Sequence, residues 1–74
     1  MDKVIIKWLD PSINSGWEPI EKYINPQLAP CEAIGFLVKE TPEYIVIALA
    51  VSDDSVNGVL ILPRPCLLSL ECIK

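Results

Sequence analysis

The stretch Asp53-x-Ser55-x-Asn57-Gly58 sets oxygen-bearing side chains at alternate positions ahead of a glycine, the arrangement that opens a calcium-binding EF-hand loop. The last ligand of such a loop is a bidentate carboxylate, and the residue at that position here is Arg64, a cation that would repel the ion. The stretch therefore reads as a polar hairpin turn, with Asn57-Gly58 supplying the positive φ angles that tight turns favour. Cys31, Cys66 and Cys72 are odd in number and contain no C-x-x-C pair, and with no histidine in the chain a zinc site would need three thiolates plus a carboxylate at unusual spacing. They are expected to act as small core hydrophobes, and no metal is expected. Carboxylate pairs suited to acid–base work exist on paper: Glu18 and Glu21 would share a helical face, and Glu40 and Glu43 flank a turn. All four lie in segments expected to be solvated. Without histidine, Ser-His-Asp and Cys-His nucleophiles are excluded, and the three glycines, Gly16, Gly35 and Gly58, form no phosphate-cradling loop. The expectation is a protein that is not an enzyme and needs no cofactor.

What remains is recognition. Trp8 and Trp17 flank the loop "LDPSINSG", with Asp10, Ser12, Asn14 and Ser15 between them as polar contacts. Two arrangements fit: an aromatic pair lining a pocket, or one ring capping a core while the other anchors a neighbouring element. The residues expected to contact a partner are Trp8, Asp10, Asn14, Trp17 and Arg64.

Ten carboxylates against six basic residues give a net charge of −4, and the bases are scattered singly. No basic stripe is present to grip phosphates, so nucleic acid is disfavoured as a partner. The longest apolar run, Ile45 to Val51, falls far short of the roughly 20 residues of a membrane helix. The start "MDKVIIKWLD" has an acidic second residue and lysines within its apolar stretch, unlike a signal peptide. A cytoplasmic protein is the expectation. Hydrophobic residues make up 51% of the 74, and mean hydropathy is +0.40. A domain this small has little interior, so part of that apolar surface is expected between subunits of a homo-oligomer.

Seven prolines punctuate short β-branched runs and divide the single domain 1–74 into its elements. "KVIIKWLD" predicts a first strand, and "WEPIEKYI" about two helical turns with Pro19 at a first helical position and Asn25-Pro26 as the stop. "CEAIGFLVKE" and "EYIVIALAVS" predict a long hairpin around Thr41-Pro42, followed by strands "VLILP" and "LLSLECI" separated by a single 3₁₀ turn at "PRPC". Five short strands without βαβ spacing predict a mainly β fold, a five-stranded antiparallel barrel with one short helix after the first strand. Tyr44, Val46, Ala48 and Ala50 alternate with Ile45, Ile47, Leu49 and Val51, so this strand is apolar on both faces and needs a second covering layer, from the helix or from another subunit.

The order strand, Gly58, short strand, Pro63, tight turn, last strand resembles the end of SH3-type barrels, and an SH3-like or Sm-like barrel is the fold that resemblance implies. Over nearly the whole chain, Trp8 and Asp10, Gly16-Trp17, Cys31, Gly35-Phe36-Leu37-Val38 and Leu62-Pro63-Arg64-Pro65-Cys66 resemble a pattern in small uncharacterised proteins encoded by bacteriophages and prophages. Pro11 departs from the serine usual after the aspartate, and Leu62 and Pro65 replace the commoner isoleucine and glycine. The resemblance implies a viral accessory protein acting in a bacterial cytoplasm; with the apolar surface described above, the expectation is a non-enzymatic protein that self-associates and binds a host or phage protein. Two other readings stand beside it: an oligomer sequestering a nucleotide-like signal between subunits against Trp8 or Trp17 and Arg64, and an Sm-like RNA-binding ring.

Overall fold

The computed structural model of the chain describes residues 1–11 and 15–73. Five strands, β1 (Lys3–Asp10), β2 (Ala29–Glu40), β3 (Tyr44–Val51), β4 (Val56–Pro63) and β5 (Leu67–Cys72), form one antiparallel sheet in the order β4-β3-β2-β1-β5. In β1 the alternation is plain: Val4, Ile6 and Trp8 face inward and are buried, while Lys3 and Lys7 stay in water. Register carries the inner face across the sheet. Val4, Ile6 and Trp8 lie opposite Gly35, Ala33 and Cys31, and Ile47 and Ile45 lie opposite Leu60 and Leu62. Val4, Ile6, Trp8, Ile45, Ile47 and Leu62 form the core, with Cys31, Ala33, Leu37, Leu60, Cys66, Leu67 and Leu70 packed against it.

β2 makes this possible by serving two neighbours. Its first part pairs with β1 as far as Lys3↔Phe36, and its last part pairs with β3 from Phe36↔Ala48, with a register shift between Leu37 and Lys39 where the strand bends. Gly35 sits at this handover because nothing larger fits: a Cβ there would lie 2.6 Å from Ile47 Cγ2 and 2.7 Å from the Ala48 carbonyl oxygen. The β2–β3 turn is closed by one hydroxyl. Thr41 Oγ1 accepts from the Glu43 and Tyr44 amides and donates to the Tyr44 carbonyl.

Three sequence expectations require correction. The sheet does not close into a barrel; β4 and β5 are free edges, and a residue alternation that places side chains on two faces carries no information on whether the outer strands meet. The helix after the first strand is a 3₁₀ turn, Ile20–Tyr23, with no side-chain cap and no buried residue. A segment that short has little intrinsic helical stability, and here no apolar face packs to supply the rest. Third, Asn57-Gly58 lies within β4, and the turn falls earlier, closed by the Ser52 amide donating to the Ser55 carbonyl. Gly58 does have a positive φ of 68°, a conformation that favours glycine, but it takes it inside the strand, beside the Leu49 side chain. The single 3₁₀ turn before the last strand, Arg64–Cys66, is as the sequence predicts.

The doubly apolar character of β3 persists in three dimensions. Behind the core, Ala48 is fully buried between Phe36 and Val59. Around it Ile34, Val59 and Ile61 remain 61%, 48% and 65% exposed, so the 3₁₀ turn supplies no covering layer. The molecule is long: its extents are 50 × 22 × 20 Å and its radius of gyration is 15.3 Å, against about 11 Å for a compact chain of this length.

Candidate interaction surface

Asp10 and Ala29 face each other across β1 and β2, so the chain between them leaves the sheet and returns to the same place. Its described part, 15–28, buries nothing. Trp17 is 104% exposed, Ile20 81%, Ile24 63% and Leu28 53%. This arm is held by its own side chains. Pro19 is extended and its carbonyl accepts from the Lys22 amide at 3.3 Å, which starts the 3₁₀ turn. The turn carries Lys22 and Tyr23 back to Glu18: Lys22 Nζ lies 2.8 Å from Glu18 Oε2, the Tyr23 hydroxyl donates to the same oxygen, and the ammonium sits 5.7 Å from the Tyr23 ring centroid.

Gly16, Trp17, Glu18 and Tyr23 line an open cleft of about 380 Å³. The hydrogen bond from Lys22, and then that from Tyr23, hold the Glu18 carboxyl below its ordinary value of 4.5. The hydrogen bond to Glu18, helped by partial desolvation, pushes the Tyr23 phenol above its ordinary value of 10.0. Carboxylate and neutral phenol therefore coexist across the whole range between those values. The cleft offers a bare indole face, a phenol and a carboxylate whose charge Lys22 already meets.

The residues singled out from sequence go to different places. Trp8 is in the core, 9% exposed, its indole nitrogen donating to Asp10 Oδ1 at 3.1 Å. Trp17 stands in solvent, so the two rings do not wall a common pocket. Asn14 and Ser12 lie outside the described residues. Arg64 is committed within its own chain: Nε donates to the Thr41 carbonyl at 3.0 Å and Nη2 pairs with Glu40, tying the turn before β5 to the β2–β3 turn. No family model, curated protein or solved structure matches this chain. Among the described residues no cluster of His, Cys, Asp and Glu could hold a metal ion, and no helix is long and apolar enough to cross a membrane.

Sequence reasoning did not single out Tyr23, Ile20, Ile24 or Leu28. A signal was present: these apolar residues fall between Pro19 and Pro30, where neither a strand nor a full helix can bury them.

Proposed function

We propose that the chain is a non-enzymatic binding protein of the bacteriophage accessory kind, acting in a bacterial cytoplasm, that self-associates through its sheet and presents the Trp17 arm to a host or phage protein. The single observation that carries this reading is the wholly exposed indole at the mouth of the cleft. Tryptophan is the residue most enriched among interface positions that dominate binding energy, because it brings a large rigid apolar face at low conformational cost. Beside it the Glu18–Lys22 ion pair adds a polar rim to that apolar face. The net charge of −4 weighs against RNA. The strand order, the bent β2 and the 3₁₀ turn before β5 support kinship with SH3-like and Sm-like domains, in a version whose sheet stays open.

The test is a pull-down from phage-infected cells with the purified chain as bait, repeated with Trp17→Ala. A protein captured by the parent chain and lost with the variant, then shown to bind as a purified pair, is the expected result. Equal capture by both would overturn the assignment of Trp17 as the contact.

A further inference from the structure

The two free edges of the sheet differ in kind. β5 is short, carries Glu71, and breaks register with β1 between Lys7 and Trp8. Shortness, charge and irregularity are the devices by which natural sheets discourage edge pairing. β4 is longer and uncharged, and its one irregularity is Gly58, whose φ is 68°. Val56–Pro63 contains no ionisable side chain, and its alignment with β3 is the same from Tyr44↔Pro63 to Val51↔Val56. In an antiparallel edge strand, alternate residues direct their N–H and C=O groups away from the one neighbour, and on β4 these face solvent. The apolar outer face also runs out onto this edge, since Phe36, Ala48 and Val59 form one cross-strand row and Val46 and Ile61 part of the next.

We propose that β4 pairs antiparallel with β4 of a second copy about a two-fold axis at Val59, joining the two five-stranded sheets edge to edge. The inference rests on the self-association in the reading above and names its surface. Charge sets the direction. The exposed acidic turn at Asp53 and Asp54 precedes β4 and Arg64 follows it. With Val59 opposite Val59 of the second copy, Asp54 falls opposite the other chain's Arg64, and the symmetry repeats this at the far end. A parallel arrangement would set one acidic turn against the other. Arg64 has the capacity, because its own chain engages Nε and Nη2 and leaves the Nη1 donors. The pairing leaves the Trp17 arm of each copy free.

Sedimentation at micromolar concentration tests this, together with amide exchange. The parent chain is expected to be a dimer. Ile61→Lys, which puts a charge on the β4 edge at a 65% exposed position, should give a folded monomer; the matching Leu68→Lys on β5 should remain a dimer. Asp53→Lys combined with Asp54→Lys should raise the dissociation constant at least tenfold at low salt. In the unmodified chain, β4 amides should exchange more slowly as concentration rises while those of β5 do not, a readout that survives if Ile61→Lys fails to fold. A dimer that persists in folded Ile61→Lys, or that Leu68→Lys dissolves, overturns the β4 pairing and leaves self-association standing. A monomeric parent chain overturns both, and partner capture by Trp17 is judged separately by the pull-down.

Discussion

The two tryptophans divide the labour of the chain between them. Trp8 occupies an inward position of β1 and is closed over by the turn before β5, and its one polar atom is satisfied by Asp10 two residues on. Trp17 contacts nothing that would bury it. Replacing Trp8 by alanine is therefore expected to cost about 3–5 kcal/mol, the range for truncating a buried large aromatic. Trp17→Ala should change stability by less than about 0.5 kcal/mol, as surface substitutions do. Urea unfolding followed by circular dichroism measures both, and a large loss from Trp17→Ala would mean that the arm packs on the sheet. The sequence placed Trp8 on the first strand but counted it among the partner contacts, although a period of two along "KVIIKWLD" sets it on the same side as Val4 and Ile6. The fate of Trp17 was not legible, since local sequence sets the path of the arm and cannot say whether another surface lies within reach. Arg64 shows the same limit. An arginine in a proline-bracketed turn reads as an exposed contact, and only the return of that turn beside Thr41 and Glu40 makes it a brace.

At the scale of elements, the fold depends on β2 passing from one neighbour to the other without a break. Gly35 lies at that passage with the Ile47 side chain and the Ala48 carbonyl where a Cβ would stand. The carbonyl belongs to a strand already paired on both sides and cannot step away as a flexible side chain would. Gly35→Ala is expected to destabilise by about 1–3 kcal/mol, the usual cost of overpacking, even though alanine is otherwise better suited to a strand interior than glycine. Thermal unfolding checks the sign, and a variant as stable as the parent would show that β2 and β3 do not approach this closely. The hairpin of β2 and β3 was the most legible part of the chain, because two β-branched runs meet at Thr41-Pro42 and Thr41 alone can close the turn. The Asn57-Gly58 turn was misplaced for a physical reason: a glycine that takes a positive φ inside a strand carries the same signature as a glycine in a turn. The helix at "WEPIEKYI" failed because its start and stop signals bracket too few residues to nucleate, and no surface packs against Ile20 or Ile24.

At the scale of the whole molecule, an open sheet and a projecting arm leave a small core to hold a long chain. Six side chains, Val4, Ile6, Trp8, Ile45, Ile47 and Leu62, form the buried cluster, while Ile34, Val59 and Ile61 keep about half or more of their surface in water behind it. Small domains bury a modest share of their surface and are correspondingly marginal, so association that is favoured only in the folded state must feed directly into stability. Linkage makes the dependence quantitative: a dimer that forms only from folded chains raises the unfolding midpoint as total concentration rises. The expected outcome is a midpoint that climbs by several degrees over a hundredfold increase in concentration for the parent chain. For Ile61→Lys, whose charge sits on the edge where the two sheets would join, the midpoint should be flat and equal to the dilute limit of the parent. Scanning calorimetry or circular dichroism across that range decides it. A concentration-independent midpoint in the parent would mean that no dimer linked to folding forms through the β4 edge, and that the single sheet suffices.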